Sequence, residues 1–296
     1  MKLRASGVIM LAGLVLGSLL TGPGAAQLPS LSPVPALPSL SVAELLDIVQ
    51  VDRPPAGVGL EVHADFPIDA PLVLDGIEIH SLTVDLTPNG NVITRSANAA
   101  DSGGSREVVG ECDDPAFAST GVRWVEGTMP IKWNLDLWSA PENLKLSRTV
   151  YRVRAAHRIW PQAKSKCGSD DDITFKYDYT GPKRANPGYD GVNVVDFGAL
   201  KGNALAVNYT WYQGSHEIVE VDLRLNKVDY NWSNMPGRNS YNVMNVVAHE
   251  LGHQFGLDDL GAPHSALTMY GLIGKGELNK ATLGRGDMRG AERLSP

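Results

Sequence analysis

The segment His249-Glu-Leu-Gly-His253-Gln-Phe-Gly256-Leu-Asp-Asp259 constrains this chain more than any other stretch. On a helix, His249 and His253 lie one turn apart and about 40° apart around the axis, so both imidazoles face one point. Neutral imidazole is a good zinc ligand. Glu250 stands beside them and can reach a water at the metal without ligating it, the position of a general base. Gly256 can take the positive φ that ends a helix and turns the chain sharply. The turn lets Asp259 swing back as an oxygen ligand. Three protein ligands leave a fourth position open, as catalytic zinc requires.

The flanking sequence predicts the elements that would carry this centre. Ser240–Gly256 reads as a long helix stopped by glycine. Upstream, Ile131–Asp136 alternates as a strand, and Ser147–Ala163 carries apolar residues at helical spacing. Four strands follow at about 173–179, 192–197, 204–212 and 218–225, and Gly286–Leu294 closes the chain as a short helix. Residues 58–95 form a further β-rich region, too short to build much core alone. Ser41–Gln50 reads as a short capped helix, 27–40 as a proline-rich extended linker, and 97–106 as a small-residue linker.

Lys2 and Arg4, an apolar run from Val8 to Leu20 and small residues up to Ala26 read as a secretory signal peptide cleaved after Ala26. The run is too short for a bilayer span, which needs about 20 residues. The expectation is therefore an exported, secreted chain with no membrane anchor after cleavage, and its net charge moves from −7 to −9 as Lys2 and Arg4 leave. In that compartment Cys112 and Cys167, the only two cysteines, are expected to form a disulfide. With 33 acidic against 26 basic residues and no basic block, nucleic acid is excluded as an expected partner.

The motif HELGHQFGLDD resembles that of the metzincin zinc peptidases, H-E-x-x-H-x-x-G-x-x-H or D. Ser265-Ala-Leu-Thr-Met269-Tyr270 resembles their Met-turn, with Met269 as its methionine, and the strand and helix order over about 125–294 is similar to the matrixin branch. The resemblance implies an α+β fold with a twisted, mixed, mostly parallel five-stranded sheet and three helices. It implies a monomeric, secreted zinc endopeptidase acting on protein or peptide substrates. Zn2+ would be held by His249, His253 and Asp259, with Glu250 as general base. An extended substrate would add to the sheet's edge strand, 204–212. Calcium is a further cofactor of the family, and Asp258 reads as a solvated or calcium-type carboxylate.

The chain departs from matrixins in three places. Asp259 stands where they usually have His, residues 180–203 contain no His for a second zinc, and the propeptide cysteine motif is absent. Asp259 is shared with snapalysin-type bacterial peptidases. Several alternatives stay open on the sequence. His264 rivals Asp259 as third ligand, and His63, His80, His157 and His216, with no partners at ligand spacing, read as ordinary surface or packed histidines. Residues 27–109 read as an inhibitory propeptide or an accessory β region ahead of a catalytic domain at 110–296. Two rival functions are a non-catalytic secreted zinc-containing binding protein and a zinc hydrolase of a non-peptide substrate.

Overall fold

The computed structural model describes Asp47 and residues 53–74, 77–97, 108–161, 167–168 and 173–296. The expected signal peptide, the proline-rich linker, and all but one residue of the expected helix at 41–50 lie outside these. So does nearly all of the expected linker at 97–106. The described residues belong to one compact unit.

Eight strands make one mixed sheet: β1 (Val58–Asp65), β2 (Ser81–Leu86), β3 (Val92–Ala97), β4 (Ile131–Leu135), β5 (Tyr177–Pro182), β6 (Val194–Gly198), β7 (Ala206–Gln213) and β8 (Glu217–Asn226). Their spatial order is β3-β2-β1-β7-β8-β6-β4-β5. The β5–β4, β4–β6 and β6–β8 pairs are parallel, and the others are antiparallel. Among the described residues, the α-helices that can be followed from end to end in this α+β fold are α1 (Leu146–Ile159), α2 (Val243–His253) and α3 (Arg285–Leu294).

This corrects the five-stranded, mostly parallel sheet expected from the sequence. The five expected strands are β4 to β8, and the N-terminal β region adds β1, β2 and β3 to the same sheet. The expected edge strand, β7, is therefore internal. It pairs with β1 from Val58↔Gln213 to Asp65↔Ala206. The addition follows from alternation. In β1, Leu60, Val62 and Ala64 face one side and Glu61, His63 and Asp65 the other. The apolar side joins Leu82, Val84, Leu86, Val207, Tyr209 and Trp211 in a second core. Too few apolar residues lie in 58–97 to form a core alone. Packed against β7, Leu60, Val62, Ala64, Leu82 and Val84 bury fully, each large side chain contributing roughly 1.5–3 kcal/mol.

The main core lies on the other side of the central strands. Trp133 and Leu135 of β4 and Leu223 and Leu225 of β8 pack with Val153, Ala156 and Trp160 from α1 and its end, and with Val246, Val247 and Leu251 of α2. Trp160 Nε1 donates to the Ala248 carbonyl at 2.9 Å, which locks α1 against the helix that carries the histidines. Cys112 and Cys167 form the expected disulfide, with Cα atoms 5.0 Å apart.

Candidate metal centre

Helix α2 begins at Asn242, whose side chain accepts from the Asn245 amide at 3.2 Å. It ends at His253, and Gly256 then takes φ +91°. A Cβ at Gly256 would lie 2.1 Å from the Val122 carbonyl oxygen, so close approach as well as φ requires glycine there. The turn carries the chain back past His253 and sets Asp259 beside the helix.

His249 and His253 are fully buried. Nδ1 of His249 lies 2.6 Å from the Thr268 carbonyl, and Nδ1 of His253 lies 3.0 Å from the Leu257 carbonyl. A carbonyl only accepts, so each Nδ1 carries a hydrogen and each Nε2 presents a lone pair. The two Nε2 atoms are 3.3 Å apart. Asp259 Oδ1 lies 3.3 Å from Nε2 of His249 and 3.7 Å from that of His253. Asp65 Oδ2, at the end of β1, lies 3.2 and 3.9 Å from the same two atoms. One atom from each of these four residues falls within 4.8 Å of the other three.

The donor set fits a metal ion. Both oxygens of Asp65, both of Glu250 and Oδ1 of Asp259 are buried with no hydrogen-bond partner. Two facing imidazole lone pairs and unpaired carboxylates are costly in a dry interior unless a cation lies among them. The titration behaviour carries the same message. Burial pulls the His249 imidazole down, but the Asp65 and Asp259 carboxylates outweigh it and hold it at about 9. Burial and the neighbouring His63 push His253 down to about 4. Burial opposes ionisation of Asp259, yet His253 and His249 hold its carboxyl well below the usual range. Burial, then the Asp65 charge, holds Glu250 well above it. The site therefore favours one positive charge, at His249 Nε2 between the Asp65 and Asp259 carboxylates, which a proton or a divalent ion supplies.

The turn containing Met269 packs directly beneath. A Cβ on Gly252 would lie 2.1 Å from Met269 Sδ and 3.1 Å from the Trp160 ring. Asp287 of α3 fixes this turn, accepting from the amides of Thr268 at 2.9 Å, Met269 at 3.0 Å and Gly284 at 2.8 Å. Lys280, fully buried, donates to the Thr268 carbonyl at 3.2 Å and to the Tyr270 carbonyl. The Thr268 oxygen thus receives hydrogen bonds from both Lys280 and His249, and Asp287 and Lys280 orient His249 through it.

The structure brings His249, His253 and Asp259 together, with Glu250 buried beside His249. His264 does not join them, because its Nδ1 sits 2.9 Å from the Asp114 carboxylate. Asp258 is not a solvated carboxylate but pairs with Arg95 Nε at 3.2 Å. His63 is a packed histidine rather than a surface one. It lies between Glu61 at 3.2 Å and Thr83 at 3.1 Å, and stacks on His253 with ring centroids 4.0 Å apart. The acidic side chains near 188–194 are spent on the backbone: Glu220 accepts from the amides of Asp190, Gly191 and Val192, and Asp222 from those of Gly188 and Val194.

Sequence reasoning missed Asp65, Asp287 and Lys280. The polar side of β1 was a visible signal for Asp65, but only the pairing with β7 tells where that side points. For Asp287 the signal was an acidic residue in the first turn of a short helix.

Searches against protein-family models and against curated proteins found no match. The functional reading consequently rests on the geometry. Among the described residues no helix is long and apolar enough to cross a membrane, and the disulfide is compatible with an extracellular location.

Proposed function

We propose that the chain is a secreted zinc endopeptidase of the metzincin type, with His249, His253 and Asp259 as zinc ligands and Glu250 as general base. The observation that carries this reading is the pair of Nε2 lone pairs 3.3 Å apart, with Asp259 Oδ1 beside them and the unpaired Glu250 carboxylate next to them in the helix. A bound zinc ion would polarise the scissile carbonyl and acidify water. Glu250 accepts the proton of the attacking water as the water oxygen bonds to the carbonyl carbon. It then delivers that proton to the amine nitrogen as the C–N bond breaks. The carboxyl's raised affinity for protons, from burial and the Asp65 charge, suits a group that must take a proton and return it. Thr268, pinned by Asp287 and Lys280, keeps His249 oriented through the cycle.

A second reading has one specific observation in its favour. Four potential ligands rather than three, with Asp65 as the fourth, is the arrangement of a structural zinc site. In that case the chain is a non-catalytic, zinc-containing secreted binding protein. A base beside the ligands serves no purpose in such a site, which favours the peptidase.

Metal analysis and casein cleavage separate the two. The Asp65→Ala variant and the Asp65→Ala/Glu250→Gln double variant should each hold about one zinc per chain, because His249, His253 and Asp259 remain. Only the first should cleave casein, and a chelator should stop it. Zinc in both with no chelator-sensitive cleavage in either would overturn the peptidase reading.

A further inference from the structure

We propose that the outer face of helix α1 is a cationic docking stripe for an acidic stretch of a protein substrate. Its part in substrate choice rests on the peptidase reading. The capture of an acidic peptide rests on the helix alone.

The chain carries a net charge of −7, yet from Lys145 to Lys166 it has seven basic residues and no acidic one. No two of the seven are adjacent, so they form no block in the sequence. The helix gathers them. Arg148, Tyr151, Arg154 and Arg158 fall within about 120° of one another around α1, opposite the buried Val153 and Ala156. All four are exposed, and Arg152 borders them.

Two observations set this face apart from an ordinary solvated one. The first is that it works against the helix. Arg148 with Arg152 and Arg154 with Arg158 are like charges one turn apart, and the first turn holds no acidic residue to offset Arg148. A face with no partner would lose nothing by mixing signs. The second is that the guanidiniums are held by neutral groups. Arg152 Nε donates to the Asn234 carbonyl at 2.9 Å, Arg158 Nε donates to the Arg154 carbonyl at 3.2 Å, and Arg154 lies 5.3 Å from the centre of the Tyr179 ring. Among the described residues none of these arginines pairs with a carboxylate. They are positioned but not neutralised, which lowers the ordering cost of receiving an anion.

The dimensions favour a short peptide. From Arg148 to Arg158 the helix rises about 15 Å, the length of about five residues of extended chain. Arginines one turn apart are about 6 Å from each other, close to the roughly 6.6 Å between alternate side chains of a strand. Tyr151 adds an exposed ring of the kind enriched with arginine at protein interfaces. A nucleic acid would run past the stripe onto a negatively charged chain, whereas a five-residue acidic segment meets the stripe alone, the rest being screened beyond about 8 Å. Trp160, at the end of α1, donates to Ala248 of α2, so the stripe is fixed to the helix that carries the histidines.

The test uses the full chain with Glu250→Gln, dye-labelled hexaglutamate as the probe, and fluorescence anisotropy at low salt. The chain should bind it and should not bind hexaglutamine. Changing Arg148, Arg154 and Arg158 together to Gln should weaken binding about tenfold, the loss of three exposed ion pairs. Changing the same three to Lys should restore it. Changing Arg285, Arg289 and Arg293 of α3 to Gln removes as much charge and should leave binding within about twofold. Equal affinity in wild type and the α1 Gln variant would overturn the stripe, as would tighter binding of a hexathymidylate. Binding that appears only after Asp170, Asp171 and Asp172 are changed to Asn would show that the chain fills the stripe itself, and would overturn it too. With Glu250 intact, two substrates that differ only in a hexaglutamate or hexaglutamine tail extend the test. The acidic one should have the lower KM, and the α1 Gln variant should lose that difference at unchanged kcat. Hexaglutamate capture through α1 with neither substrate cleaved would uphold docking of an acidic segment and overturn the peptidase reading.

Discussion

Gly252 faces the Met269 sulfur with no room for a side chain: a Cβ at Gly252 would lie 2.1 Å from Sδ. The helix that carries the two histidines is held against the turn below it by this contact. Gly252→Ala should therefore strain the spacing between α2 and the turn, at a cost of about 1–3 kcal/mol from overpacking. Zinc affinity should fall with it, because Thr268, one residue from Met269, orients His249. Met269→Ala in the same chain should recover part of both losses. A double-mutant cycle by thermal unfolding reads the coupling, and strictly additive effects would show that the contact does not matter.

The third ligand separates cleanly. Asp259→Ala should lower zinc affinity by orders of magnitude, because its Oδ1 approaches both imidazoles. His264→Ala should leave the metal in place, because His264 is engaged with Asp114. Calorimetric titration of zinc into the two apo-variants decides it, and the reverse pattern would transfer the ligand role to His264.

His157 gives a pH signature that is independent of the metal centre. It is buried, stacked on Trp133 with ring centroids 3.6 Å apart, and its Nδ1 hydrogen bonds to the Val153 carbonyl at 2.8 Å. Burial holds its pKa down at about 3, against 6.5 for an ordinary histidine. The folded state keeps it neutral, so its contribution is fully present above pH 6.5 and is lost as pH falls from there towards 3. Wild type should lose about 1.4 kcal/mol per pH unit in this window relative to His157→Gln. Urea unfolding of both proteins at several pH values between 6.5 and 4 checks the slope. Parallel stability curves would show that His157 is not held neutral.

The Cys112–Cys167 bridge closes a loop with a sequence separation of 55. In the chain-entropy picture such a loop contributes up to about 4 kcal/mol. Reduction, or the double Cys→Ser variant, should lower the denaturant midpoint accordingly without changing zinc stoichiometry. An unchanged midpoint would show that the closed loop contributes nothing to stability.

Much of this protein could be read from local chemistry. The helical spacing of His249 and His253, the glycine at 256 and the Asp at 259 are neighbours in sequence, and their geometry follows from helix periodicity and one positive-φ turn. The three helices and the run of strands from β4 to β8 announce themselves through periods of 3.6 and 2. The disulfide follows from there being two cysteines in a chain expected from its N-terminal sequence to be exported. Such features are set within a turn or two of backbone, or by simple parity.

What the tertiary structure alone decided is what covers the centre. Alternation in 58–65 gives two faces, and nothing local says which neighbour either face meets. The sheet could have ended at β7, leaving an edge. It continues because the apolar side of β1 finds Val207, Tyr209 and Trp211, and a strand edge with unpaired amides and carbonyls favours a partner. Once that pairing is set, register is no longer free. A slip of one residue would turn Leu60, Val62 and Ala64 towards the histidines, and Glu61, His63 and Asp65 into the second core. Burial of three aliphatic side chains thus fixes where one carboxylate lies, 184 residues before His249 in the chain and 3.2 Å from it in space. Sequence determined the cluster of His249, His253 and Asp259 because the three share a helix and a turn; only packing between distant strands could place Asp65 against them.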